Sequence, residues 1–117
     1  MSNTNTAVTA LVRLTTDELD TKDFSTGSKG FFGGTKVVID GTRHQAQVMA
    51  ILVGSKGDPS ATVTASLSDV QARLTTFIEE NLTTKSFASG KGGFHGQGKI
   101  VVDGQKFQVS AQAVALD

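Results

Sequence analysis

Between Ala7 and Leu14 the chain alternates, with Val8, Ala10, Val12 and Leu14 on one side and Thr9, Leu11 and Arg13 on the other. That period of two predicts a first strand. Before it, residues 1–6 are polar and predict no regular structure, and TTDELDTKD after it is too short for more than one helical turn. A short strand is expected at FST, residues 24–26, followed by GSKGFFGG, whose glycines predict a loop. Lys36 to Ile39 is β-branched, Asp40-Gly41 is a favoured two-residue turn, and Thr42 to Val53 alternates again, which together predict a hairpin.

The turn fixes the register. Ile39 faces Thr42, Val38 faces Arg43, Val37 faces His44 and Lys36 faces Gln45. One face of the hairpin then carries Val37, Ile39, His44, Ala46, Val48 and Ala50, and the other Lys36, Val38, Arg43, Gln45, Gln47 and Met49. Asp103-Gly104 gives a second hairpin of the same kind, with Ile100, Val102, Phe107, Val109, Ala111 and Ala113 on its apolar face. Lys99, Val101, Lys106, Gln108, Ser110 and Gln112 lie opposite.

The two hairpins belong to a longer correspondence. Phe24 to Val53 and Phe87 to Leu116 align without a gap at a constant offset of 63, and eleven of the thirty paired positions are identical. This is the mark of an internal repeat, and two copies predict a pseudo-two-fold domain. The halves are expected at 7–53 and 61–116, joined by the connector 54–60, which holds the only proline. Val63-Thr64-Ala65 matches Val8-Thr9-Ala10 at an offset of 55, which predicts a strand over 61–67 and eight extra residues in the second half. Those residues are expected to form a helix: Ser68 and Gln71 have capping-box spacing, and Val70, Leu74, Phe77, Ile78 and Leu82 share one helical face. The expected fold is mainly β (α+β), about eight antiparallel strands and one amphipathic helix packed on the alanine-rich sheet face.

Composition narrows the function. At 117 residues the chain has the length of one domain, 1–117, whose halves must share a core. It contains no cysteine, which excludes disulfides, thiolate metal sites and cysteine nucleophiles. The N-terminal residues lack a signal-peptide pattern and no apolar run is long enough for a span, so a soluble cytoplasmic protein is expected. Net charge is zero, but its distribution is uneven: each repeat carries three basic residues and one acid, while acids gather in TTDELDTKD and FIEEN.

GFHGQGK, Gly93 to Lys99, matches the start of a phosphate-binding loop, but Ile100 stands where a hydroxyl is needed and the lysine opens a strand. The repeated glycines are better explained by positive φ angles or close approach of backbones. Phe31 and Phe94 are expected in the core, and Phe32 and His95 are the candidate exposed rings. His44 and His95 occupy non-equivalent positions without a carboxylate pair, so neither a metal site nor any cofactor is expected. No catalytic constellation is assembled, and a non-enzymatic role is expected.

The feature with most functional content is the repeated basic hairpin face. Lys36, Arg43, Lys99 and Lys106 with Gln45, Gln47, Gln108 and Gln112 would supply cations for phosphates and amides for base edges. Lys29, Lys91, Phe32 and His95 would join them from the glycine-rich segments. A single-stranded DNA or RNA binder is therefore expected. The alternative is a structural or protein-interaction module that builds a homo-oligomer through strand faces and edges, and small-anion binding in the glycine loops is a third reading. A duplicated four-strand unit with an intervening helix resembles the architecture of Whirly single-strand DNA binders. That resemblance rests on element order alone, the Whirly strand signature is absent, and no site residue follows from it.

Overall fold

The computed structural model describes residues 4–24, 27–56, 58, 60–88 and 90–116. Helix α1 (Thr4–Glu18) leads into β1 (Asp20–Asp23), β2 (Lys29–Ile39) and β3 (Thr42–Leu52). After a connector the same order returns as α2 (Leu67–Asn81), β4 (Thr83–Ser86), β5 (Gly92–Val102) and β6 (Gln105–Ala115). The six strands form one antiparallel sheet in the order β1-β2-β3-β6-β5-β4, and both helices cover one face of it. Every element of the second set begins and ends 63 residues after its counterpart. Val48 and Ala111, also 63 apart, face each other where β3 meets β6, so a local two-fold axis passes between them, normal to the sheet.

Six strands and two helices replace the expected eight strands and one helix. The predicted first strand is α1. Its buried residues are Ala7, Leu11, Leu14 and Thr15, at spacings of four, three and one, which is a helical stripe. Threonine hydroxyls help β-branched residues fit here, since Thr9, Thr15 and Thr16 each donate to the carbonyl four residues back, at 3.0, 2.8 and 3.1 Å. Residues 4–6 belong to this helix, and 1–3 lie outside the described residues. The strand expected over 61–67 is an irregular connector that becomes α2 at Leu67. The VTA match at offset 55 therefore joins a helix to a connector and has no structural meaning. The short strand expected at 24–26 falls partly outside the described residues, and Phe24 is in no strand. The segment expected as a glycine loop is mostly strand: Lys29 to Gly34 lie in β2 and Gly92 to Gly98 in β5. The Whirly-like order does not survive, because each half is a helix followed by three strands.

Other readings hold. The hairpin registers are those set by Asp-Gly: Asp40 and Asp103 both have φ of 51°, and Gly41 and Gly104 have 82° and 80°. Alanines 46, 50, 111 and 113 are buried beneath the helices beside Phe31, Phe94 and Phe107. Val70, Leu74, Phe77, Ile78 and Leu82 are buried as predicted, but α2 is capped two residues earlier than expected. Ser66 is the N-cap, its Oγ accepting from the Asp69 N–H at 3.2 Å. Gln71 instead reaches across to α1, donating from Nε2 to the carbonyls of Thr15 and Thr16, both at 3.1 Å. These are carbonyls of the last turn of α1, which that helix cannot satisfy internally.

Candidate nucleic-acid interface

Because side chains alternate along a strand, the residues that do not face the helices form a second, uncovered sheet face. The strand register arranges it in rows. Asp20, Phe32, Met49, Ser110 and Gln97 cross the sheet in one row, and Gly34, Gln47, Gln112, His95 and Thr83 in the next. The flanking rows are Lys22, Gly30, Ile51, Gln108 and Lys99 on one side, and Lys36, Gln45, Val114, Gly93 and Lys85 on the other. The local two-fold exchanges the two inner rows and the two flanking rows. Arg43 and Lys106 extend the basic groups toward the strand ends.

Ten of the twelve residues expected in a binding site therefore share one surface: Phe32, Lys36, Arg43, Gln45, Gln47, His95, Lys99, Lys106, Gln108 and Gln112. Lys29 and Lys91 do not join it. Lys29 lies on the helix side of β2, where its Nζ donates to the Ala61 carbonyl at 2.8 Å and its N–H to Ser55 Oγ at 3.0 Å. Lys91 precedes β5 and its Nζ donates to the Leu116 carbonyl at 3.1 Å. Each is committed to tying down the chain beside it.

Two cations on this face were not singled out from the sequence. Lys22 on β1 sits with its Nζ 5.4 Å from the Phe32 ring centroid and 5.8 Å from that of Phe24. Lys85 on β4 is its counterpart, 5.7 Å from the Phe87 ring. Extending the offset of 63 upstream of Phe24 would have found the pair, since Lys22 and Lys85, Thr21 and Thr84, and Leu19 and Leu82 are identical. The strand residues of the open face thus carry six cations, Lys22, Lys36, Arg43, Lys85, Lys99 and Lys106, against the single carboxylate of Asp20. The helices on the other side carry Asp17, Glu18, Asp69, Glu79 and Glu80 against Arg13 and Arg73. Charge is separated across the thickness of the molecule.

The two rings differ in their surroundings. Phe32 is half-buried under Lys22. His95, at the equivalent position, is held below the ordinary histidine pKa by burial and then by the nearby Lys85 cation. His44 is a core residue, 5% exposed, with Nδ1 2.8 Å from the Thr42 carbonyl and its ring beside Phe94.

The repeated glycines serve the fold. Gly27 and Gly90 adopt φ of 93° and 87° in the tight connections that enter β2 and β5. At Gly30 and Gly93 a Cβ would collide with the carbonyls of Ala50 and Ala113 in the neighbouring strand. Gly33 and Gly96 lie where the chain leaving each helix crosses the sheet: a Cβ would fall 2.9 Å from Leu19 N and 3.1 Å from Asn81 O. No phosphate-binding loop exists at Gly93 to Lys99, all of which is β5. Among the described residues no cluster of side chains could hold a metal ion, and no helix is long and apolar enough to cross a membrane. Comparison with protein-family models, curated proteins and solved structures gives no match.

Proposed function

We propose that the protein is a non-enzymatic single-stranded nucleic-acid-binding protein that works in the cytoplasm and uses the open face of its sheet. The observation that carries this reading is the composition of that face: six cations and one carboxylate on a surface that also carries Phe32, His95 and five glutamines. Cations meet phosphates, amides meet base edges, and half-exposed rings offer π-faces, the three elements of sheet-based single-strand recognition. The same reading takes the halves as copies of one ancestral unit, so that each contributes an equivalent set of lysine, glutamine and ring. The charge also disfavours face-to-face self-association, which would bring two strongly positive surfaces together without counter-charge.

The test is a titration of labelled oligonucleotide at several salt concentrations. Each phosphate neutralised on a single strand contributes about −0.7 to the log-log slope, so engagement of Lys36, Arg43, Lys99 and Lys106 gives about −3, and about −4 if Lys22 and Lys85 also take part. Replacing the first four by Gln flattens the slope, while Lys56→Ala in the exposed connector leaves it unchanged. Absence of binding at low salt, or equal losses in the control and the four-site variant, would overturn the reading.

A further inference from the structure

β1 covers only the first part of β2, pairing with residues 29–32, so among the described residues the rest of that strand is a free sheet edge. In a hairpin closed by a two-residue turn, Ile39 and Thr42 are a hydrogen-bonded pair, and alternate residues back along the strand share that bonding. Thr35 and Val37 therefore bond inward to β3, while the N–H and C=O of Gly34, Lys36 and Val38 point outward. Val38 is also the most exposed large apolar side chain among the described residues, at 62%. Helix α1 does not close this edge: between it and residues 35–38 lies a groove of about 410 Å³, floored by Thr6, Thr9 and Ala10. The corresponding groove at β5 is smaller, about 240 Å³, because Arg73 and Phe77 stand where the first half has Ala10 and Leu14. A Cβ on Gly98 would lie only 2.9 Å from the Phe77 ring.

We propose that the free edge of β2 pairs with the same edge of a second copy, forming a closed two-fold dimer with one continuous sheet. The register follows from side-chain chemistry. An antiparallel pairing centred on Lys36 would set two lysines directly opposite, which is unfavourable. One centred on Val37 places Lys36 beside Val38 of the second copy, and Val37 against Val37 beneath the helices. Residues 36 and 38 then exchange about four backbone hydrogen bonds across the interface, and the exposed valine is covered. On α1, Arg13 and Asp17 both line the groove one helical turn apart, so an antiparallel copy of the helix presents opposite charges to each. The pairing is isologous and self-limiting, because the smaller groove at β5 gives no second edge of equal openness. The basic faces of the two copies then lie on the same side of the enlarged sheet.

The absence of cysteine makes the test direct. At tens of micromolar, light scattering after gel filtration reads twice the chain mass for the wild-type protein. Val38→Pro, which removes an outward N–H without touching the pairing to β3, reads the chain mass with unchanged circular dichroism. Val101→Pro on the other edge stays dimeric. Val37→Cys, oxidised without added thiol, gives a disulfide-linked dimer in denaturing electrophoresis. A wild-type monomer across the concentration range would overturn the proposal. So would a dimer that survives Val38→Pro, or one in which Val37→Cys does not cross-link.

Discussion

At position 95 a histidine takes the place that Phe32 holds in the first half, and this single exchange makes the two ends of the open face respond differently to pH. Burial and Lys85 lower the His95 pKa below 6.5, so the free folded protein holds fewer protons there than the unfolded chain. Its contribution to stability is complete above about pH 6.5 and is lost as pH falls through the folded value. A phosphate beside the ring acts in the opposite sense by favouring the imidazolium. On the proposed function, oligonucleotide affinity at fixed salt is expected to rise as pH is lowered from about 7.5 to 5.5, beyond any change seen with His95→Gln, and the ratio of the two affinities reports the titration. A constant ratio would remove His95 from the contact surface. The position was legible from the chain because the constant offset of 63 sets it against Phe32. The pKa was not, because it depends first on the burial of the ring in the fold and then on the charge of Lys85, which lies on a strand four residues long that carries no pattern of its own.

The elements with the strongest local signals were read correctly, and those shaped by packing were not. Asp-Gly dipeptides set both turns and both registers, since few other conformations suit them. Helix α1 was read as a strand because Val8, Ala10, Val12 and Leu14 alternate by accident of composition. The buried stripe of Ala7, Leu11, Leu14 and Thr15 includes a threonine that only its backbone hydrogen bond makes acceptable in a core. The glycine-rich stretches misled for a related reason: glycine weakens an isolated strand, yet here other segments cross so closely that nothing larger fits. Gly33 is one such case. An alanine there would press against Leu19 N at 2.9 Å and against the carbonyl carbon of Glu18 at 3.0 Å, both backbone atoms where the chain leaves α1 for β1. Gly33→Ala is expected to cost about 1–3 kcal/mol in urea unfolding, within the range of overpacked sites. Gly96→Ala, whose nearest atom is 3.1 Å away, is expected to cost less.

For the molecule as a whole, the pairing of β3 with β6 is the seam along which the two halves meet, and its geometry reaches beyond this chain. Val48 and Ala111 sit on the local axis, so each half presents to the other a strand whose partner is its own counterpart. A strand that meets its counterpart across a two-fold axis can in principle meet itself. A peptide of residues 61–117, with α2 and three strands but no first half, would expose the inner edge of β6 and the alanine-rich floor beneath the missing helix. Two such peptides can restore both by pairing β6 with β6 about Ala111, where the small side chain makes no clash. The expected result is a concentration-dependent helical and β-sheet signal, with sedimentation at twice the peptide mass and no folded monomer. A peptide that stays unfolded at every concentration would show that the connector and α1 supply something α2 cannot. If the peptide assembles, the linker joining the halves serves chiefly as a tether: it replaces a bimolecular encounter with a local one, so that the protein keeps its fold at any dilution.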